Sequence, residues 1–344
     1  MTIPESKNLP IYSLAACFNR TSATYKYYWF LSIIQSVEKG KTSISKNELF
    51  ACMISNAWYT VNYFKVSFGK QDLIQDTIRA IQKIEKITID EKQDTVFKKL
   101  TTSTKVETAR QLLHFDKNVP HWFLSPWFPG KVKNEIYSAS KDFNENCLYA
   151  LHKDKIEINT EWISYLISNA RVLKDFCFWN LSLFLQTKNP NVPDIPNKLV
   201  KPALRGSLTK QRKQFWDLVL NEVGSVCCIY TGKKLTVANY AVEHFIPYSF
   251  VSHDLIWNLI PADKSFNSTK SNKLPSLEKY FNPFFELQKT AIEIVQAKSP
   301  NSKLLEDYLT IFPDLDQSFS EGKFRERIQP LITIASNNGF EFMS

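Results

Sequence analysis

Four side chains that could act together chemically lie in one stretch of the chain, residues 227–276. Glu243 and His244 are adjacent, Asn258 follows His244 by fourteen residues, and Asn267 follows Asn258 by nine. An imidazole, whose ordinary pKa is about 6.5, can accept a proton at neutral pH. Carboxylate and amide oxygens are ligands that Mg²⁺ prefers. An isolated Glu-His pair on an apolar strand is usually structural, so a functional interpretation depends on the ordered spacing.

The same stretch resembles the HNH, or ββα-metal, family of nucleases. Three motifs support the resemblance: Glu243-His244-Phe245-Ile246-Pro247, Trp257-Asn258-Leu259 and Phe266-Asn267-Ser268-Thr269-Lys270. Their spacing, with Leu274-Pro275-Ser276 after them, is most similar to the cleavage domain of type II CRISPR effector nucleases. The segment 228–235 also resembles the hairpin that leads into such domains. The similarity covers about 50 of the 344 residues, and residues 1–190 resemble no family that we can identify.

The resemblance implies a two-stranded β-element packed on a helix, with one divalent metal ion held between them. The strands are expected over 242–246 and around 259–261, and the helix is expected to start near Asp263. By the same resemblance, His244 would be the general base that takes a proton from the attacking water. Glu243 and the amide oxygen of Asn267 would bind Mg²⁺, with Mn²⁺ able to substitute. Asn258 would orient the loop that holds His244 and would transfer no proton.

Two features of the motif differ from the commonest family pattern. Glu243 stands where Asp or His is usual, and Asn267 replaces a final His. A neutral amide ligand favours Mg²⁺ or Mn²⁺ over a softer ion such as Zn²⁺. Because adjacent strand residues point to opposite faces, Glu243 and His244 can converge on one ion only if the strand bends there.

Nearby lysines, cysteines and a polar pair extend these predictions. Lys270 shares a helical face with Asn267. With Lys264 and Lys273 it is predicted to contact DNA phosphates, although surface lysines can also serve solubility alone. No Cys-x-x-Cys pair occurs and Thr231 replaces a common second cysteine, so no structural zinc is expected. His253 and Asp254 could extend the metal site or form a solvated loop pair.

Composition narrows the class of protein. Lys and Arg number 43 against 34 Asp and Glu, and the formal net charge of +9 favours an anionic partner such as nucleic acid or an acidic membrane surface. Hydrophobic residues at 44% argue against a disordered chain, and eight glycines argue against Gly-rich phosphate loops. No apolar run approaches the roughly 20 residues of a membrane span. With no secretory signal in the N-terminal sequence, we expect a soluble cytoplasmic protein without membrane association.

The elements that must position these residues are predicted to be mainly helical. The fold class expected is mainly α with a small α+β ββα-metal domain. Three prolines within 187–199 mark a boundary, because each removes a backbone donor and fixes φ. We therefore predict a helical domain over 1–190, the nuclease domain over 200–285 and a helical extension packed on it over 286–344. One long apolar helix is expected from Thr160 to about Gln186.

The pattern favours a metal-dependent DNA endonuclease of bacterial restriction or anti-phage defence. Residues 1–190 would recognise the target, bind a protein partner of a defence complex or form a homodimer. Two alternatives remain open at this point. One is a nucleic-acid-binding or partner-binding protein with a degenerate HNH fold, and the other is an HNH nuclease that acts on RNA. No second nuclease motif is identified, so a double-strand break would need two protomers, two encounters or a partner nuclease.

Overall fold

A computed structural model describes residues 2–19, 21–200, 206–315 and 319–343, with the side chains of Asn267 and Ser268 outside the description. The chain divides into two compact units, Met1–Pro190 with Ile195–Lys201 and Asn191–Asp194 with Pro202–Ser344. It is mostly helical with a few sheets of two or three strands, which confirms the expected fold class. The division into three domains and the role of residues 1–190 stay predictions.

The second helix of the first unit has apolar residues around most of its surface, as expected of a helix that is buried on several sides. Eight consecutive residues of this helix, 27–34, are buried. The third helix begins at a cap, where the Ser45 hydroxyl accepts from the Glu48 N–H at 3.5 Å. The helices of this unit are α1 Ile11–Ala16, α2 Tyr25–Glu38, α3 Lys46–Asn62, α4 Ile74–Glu85, α5 Gln93–Thr102, α6 Val106–Leu113, α7 Val119–Leu124, α8 Lys133–Lys141, α9 Thr160–Ser168, α10 Ala170–Lys188 and α11 Ile195–Lys198.

The long helix expected from Thr160 is interrupted, because α9 ends at Ser168 and α10 starts at Ala170. Asn169 lies between them with φ −109° and ψ 10°, and its side-chain amide donates to the Tyr165 carbonyl at 2.9 Å. The Asn169 N–H donates to the same carbonyl at 3.0 Å, so the break is a local change of the backbone angles at Asn169. A small antiparallel sheet completes the unit, with strands β1 Ser43–Ser45, β2 Tyr149–Leu151 and β3 Lys155–Ile158 in the order β1-β3-β2.

The described part of the second unit contains two short antiparallel strand pairs and several helices, together with 3-10 turns at Ile256–Asn258 and Glu306–Thr310. Its strands are β4 Val226–Cys227, β5 Lys234–Leu235, β6 Tyr240–His244 and β7 Leu259–Asp263. Its helices are α12 Thr209–Gln211, α13 Asp217–Val223, α14 Tyr248–Val251, α15 Lys264–Lys270, α16 Leu277–Lys298 and α17 Glu321–Asn337, with a π-helical turn Arg212–Trp216 between α12 and α13. None of the helices in the described ranges has the length and apolar character needed to cross a membrane.

Strands β6 and β7 form the β-element of this unit. They pair over five residues, from Tyr240 opposite Asp263 to His244 opposite Leu259. Every residue of β7 is buried, and α15 starts directly after it. Strand β6 ends two residues earlier than expected, because the backbone of Ile246 pairs with the Asn258 side chain instead of with β7.

Contacts from flanking segments hold β6 and β7 in place. At the start of β6, the Arg212 guanidinium lies 4.4 Å from the centre of the Tyr240 ring and donates to the Val237 carbonyl at 2.9 Å. At its end, the Phe245 ring stacks on Phe284 of α16 with centroids 3.9 Å apart. The Gln288 side chain, also on α16, donates to the Leu259 carbonyl at 2.8 Å. Segments that precede β6 and segments that follow β7 in the sequence therefore both contact the β-element.

Candidate active site

His244 lies at the end of β6, and only 2% of its surface is exposed. Its Nε2 is 2.9 Å from Oδ1 of Asp254, in the loop that follows α14. Because an ionised carboxylate only accepts hydrogen bonds, this contact places a proton on Nε2. The neutral imidazole then has its basic nitrogen at Nδ1. A buried imidazole oriented by a carboxylate is the arrangement expected of a general base.

Asp254 is the residue of this site to which the sequence did not give a definite role. The structure separates the polar pair to which it belongs: Asp254 contacts His244, whereas the His253 ring packs against Trp257 with centroids 5.1 Å apart. Asp254 lies ten residues after His244, and the path of the loop between them brings the two side chains together. No strand or helix periodicity could therefore predict this contact. The signal present in the sequence was a carboxylate within the loop between the two strands.

Asn258 is fully buried and fixes the chain just after His244. Its Oδ1 accepts from the Ile246 N–H, and its Nδ2 donates to the Ile246 carbonyl, each at 2.8 Å. Its own carbonyl accepts from the Phe245 N–H at 2.7 Å. Three hydrogen bonds thus connect Asn258 to the two residues that follow the imidazole. This geometry suits the orienting role implied by the resemblance.

Glu243 precedes His244 and is in contact with a buried lysine. Lys270 Nζ, at the end of α15, lies 3.1 Å from Glu243 Oε1 and 2.7 Å from the carbonyl oxygen of His244. The Lys270 side chain is completely buried, and that of Glu243 is 10% exposed. Among the described residues, none donates a hydrogen bond to the second carboxylate oxygen, Oε2. Lys270, which was predicted to contact phosphate, thus forms an ion pair with Glu243, which was predicted to bind metal.

The remaining predicted residues lie on or beside α15. Lys264 is its first residue and is exposed, and the partly exposed Lys273 lies in the turn after it. Asn267 lies on α15, three residues before Lys270, and its side chain falls outside the described part of the structure. The structure therefore brings Glu243, His244 and Lys270 together, pins them through Asn258, and adds Asp254.

The start of α15 has an ion pair of its own. Asp263 accepts from the Ser265 N–H at 3.1 Å, and the Lys233 ammonium lies 2.5 Å from its other carboxylate oxygen. The Lys233 ammonium lowers the pKa of the Asp263 carboxyl, and the Ser265 hydrogen bonds add to this effect. An ionised carboxylate at a helix N-terminus also complements the helix dipole. Asp263 therefore anchors the helix that carries Lys270.

The donor set around Glu243 fits a hard divalent ion. No group of three or more His, Cys, Asp or Glu side chains in the described ranges is arranged to hold a metal. Mg²⁺ does not require such a cage, since it keeps several waters and is commonly bound through one or two carboxylates and substrate phosphate. Glu243 Oε2 offers one such oxygen. Cys228 takes a different role, as its Sγ accepts from the Asp263 N–H at 3.4 Å.

Comparison with known protein families identifies the family of this segment. Residues 228–276 match a family model described as HNH endonuclease. The matched range runs from the β4–β5 hairpin through β6, β7 and α15 to the residue before α16. Comparisons with curated proteins and with solved structures find no match. The resemblance noted in the sequence is thereby confirmed: residues 228–276 form a domain of the HNH endonuclease family, a family of metal-dependent nucleases.

Proposed function

We propose that this protein is a metal-dependent endonuclease that hydrolyses DNA phosphodiester bonds, with His244 as its general base. The supporting observation is the position of that imidazole. It is buried at a strand end, its Nε2 is 2.9 Å from the Asp254 carboxylate, and the next two residues are pinned by Asn258. Because the imidazole is already oriented, no conformational entropy is lost in ordering it when it accepts a proton.

The chain's own residues divide the chemical work as follows. His244 Nδ1 takes a proton from the water that attacks phosphorus in line, and the imidazole becomes positively charged. Asp254 accepts the hydrogen bond from Nε2 and stabilises that charge. Asn258 holds the loop and is a positioning residue. In-line attack breaks the bond between phosphorus and the 3′ oxygen, and that oxygen takes a proton from solvent water. The expected products are therefore a 5′-phosphate and a 3′-hydroxyl.

Glu243 Oε2 and the amide oxygen of Asn267 are the groups we propose to hold Mg²⁺, with Mn²⁺ as a substitute. When bound, such an ion neutralises charge on the phosphate oxygens and on the leaving 3′ oxygen. Lys264 and Lys273 add positive charge near the site and are proposed DNA-phosphate contacts. The chain's net charge of +9 agrees with an anionic substrate.

The setting we propose is bacterial restriction or anti-phage defence in the cytoplasm, with a second copy or a defence-complex protein as candidate partners. A second candidate function is supported by one observation, the Lys270 ammonium on Glu243. If this ion pair were permanent, Glu243 could not bind a metal, and the domain would bind nucleic acid or a partner without cutting. An RNA substrate is the other alternative, because a phosphodiester site does not itself distinguish the sugar.

The test compares wild-type protein with His244→Ala and Asp254→Asn on supercoiled plasmid, linear duplex, single strands and RNA, with Mg²⁺ or Mn²⁺. We expect nicking by wild type, a loss of about 10³-fold for His244→Ala and about tenfold for Asp254→Asn. DNA binding by a gel-shift assay should be retained, because it depends on distributed phosphate contacts.

His114→Ala, at an exposed imidazole of the first unit, is the matched control and should cleave as wild type does. Equal cleavage by wild type and His244→Ala would refute the mechanism. Binding with no cleavage under either ion would favour the second candidate function. Cleavage of RNA alone would correct the substrate.

A further inference from the structure

We propose that Lys270 is the counter-cation of Glu243 in the metal-free protein, and that it leaves this carboxylate for the DNA phosphate when a divalent ion binds. The inference rests on the proposed function and assigns a further residue to it. Lys270 would then control how tightly the site binds metal. It would also make the binding of metal and of substrate mutually dependent.

The first argument is the burial of the Glu243 carboxylate. A carboxylate with a tenth of its side chain exposed is costly to leave without a compensating charge. In the described part of the second unit, the contact that supplies this charge is the Lys270 ammonium at 3.1 Å from Oε1. The protein without metal therefore pairs the buried Glu243 carboxylate with its own lysine.

The second argument is electrostatic competition. A divalent ion bound to Glu243 Oε2 would lie within a few ångströms of an ammonium on Oε1, since both oxygens belong to one carboxyl group. Two cations at such a separation repel strongly in a partly desolvated site. The ammonium and the metal ion are thus alternative occupants of the carboxylate, and the stronger cation displaces the weaker.

The third argument concerns where the lysine goes. Lysine is a compact charge on a flexible four-carbon stem, so Nζ can move by several ångströms while the backbone stays in place. Lys270 is the last residue of α15, and its ammonium also donates to the carbonyl of His244, the proposed general base. A phosphate placed for attack by water near His244 offers the displaced ammonium a new anion. The metal ion then replaces the Lys270 ammonium on Glu243, and the ammonium pairs with the phosphate.

The test measures Mn²⁺ affinity in the absence of DNA, by calorimetry and by the electron paramagnetic resonance of unbound Mn²⁺. Lys270→Gln removes the charge and keeps an N–H donor for the His244 carbonyl. We expect its Kd for Mn²⁺ to fall about tenfold relative to wild type. Lys270→Arg keeps the charge and should stay within about twofold. Lys289→Met, at an exposed lysine of α16, controls for the loss of one charge and should bind as wild type does.

A thermal unfolding measurement keeps the test decisive if Lys270→Gln is destabilised. Mn²⁺ should then raise the unfolding temperature of Lys270→Gln by more than it raises that of wild type, because only the variant lacks a cation on Glu243. Equal or weaker Mn²⁺ binding by folded Lys270→Gln, with wild type still cutting DNA, would overturn this inference and leave the proposed function intact. Absence of Mn²⁺ binding in wild type, with no cleavage, would overturn the proposed function itself.

Discussion

Each unit of the molecule contains a buried lysine, and the two differ in what surrounds them. Lys46 of the first unit contacts the Asp116 carboxylate at 2.7 Å, the Tyr137 hydroxyl at 2.8 Å and the Lys153 carbonyl at 3.1 Å. Its three acceptors lie 70, 91 and 107 residues away along the chain. Lys270 of the second unit contacts Glu243 and the carbonyl of His244, two adjacent residues at one strand end.

This difference separates a structural charge, Lys46, from the charge that we propose to be functional, Lys270. Lys46 joins distant segments of its unit and meets one acceptor for each of its three N–H donors. Two contacts of Lys270 fall on neighbouring residues, the backbone carbonyl of His244 and the Glu243 carboxylate, whose second oxygen accepts from no described residue. Burial of a lysine is therefore weak evidence for a site. Convergence of unlike titratable groups on one short segment is stronger evidence.

The largest effect that could break this comparison is expected at Lys46. Lys46→Met leaves Asp116, Tyr137 and the Lys153 carbonyl without their shared donor, and Asp116 is about one third exposed. We expect a loss of about 2–3 kcal/mol in the free energy of unfolding, below the usual value for a fully buried pair. Urea unfolding measures it, with exposed Lys98→Met as the control, expected within about 0.5 kcal/mol of wild type. A wild-type midpoint for Lys46→Met would contradict a structural role.

A smaller effect is expected at Asn258. Asn258→Ala removes two hydrogen bonds and leaves the buried N–H and carbonyl of Ile246 unpaired. We expect a loss of about 2 kcal/mol in stability, with a fall in cleavage rate at saturating DNA because the His244 loop is no longer fixed. Urea unfolding and single-turnover cleavage report the two effects. The control is exposed Asn301→Ala, which should change neither. Lost stability with an unchanged cleavage rate would make Asn258 purely structural.

The smallest effect is a pH dependence at the start of α15. The pKa of Asp263 is lowered by Lys233, so the ionised form stabilises the fold above its ordinary pKa of about 3.9. This stabilisation is lost as the pH falls through the lowered pKa in the native state. Lys233→Met should therefore lower the unfolding temperature at pH 7, with the gap to wild type closing on acidification. Unfolding temperatures measured from pH 3 to 7 check this, and a gap of constant size would contradict it.

The sequence predicted the β-element closely because its motif is local. The residues that indicate strand β7 and the start of α15 lie within a few positions of one another. A short sequence pattern was therefore enough to predict both elements. The end of β6 was misplaced because Ile246 exchanges strand pairing for the Asn258 side chain, a contact across twelve residues. The break at Asn169 between α9 and α10 was missed because one polar residue does not disturb the apolar periodicity of the segment around it.

The candidate site shows the same limit. Its residues Glu243, His244 and Asn258 could be identified from spacing, because the HNH pattern orders them along the chain. The partner of His244 could not, since the loop path that brings Asp254 to Nε2 has no period. Nor does a sequence distinguish a buried lysine from an exposed one, so the contact between Lys270 and Glu243 required the structure.

The contacts made by α16 and the segment after it show that the packed unit extends beyond the family match. The family match stops at residue 276, yet β7 and its approach are held from beyond it: Phe284 stacks on Phe245, and Gln288 donates to Leu259. The Asp307 carboxylate accepts from the Ile256 N–H at 2.9 Å, and Tyr308 donates in turn to Gln288. A fragment cut at residue 276 would expose these apolar faces and leave buried backbone groups unpaired. The segment with recognisable family similarity is thus shorter than the segment that packs as one unit. An expressible nuclease fragment must extend past residue 310.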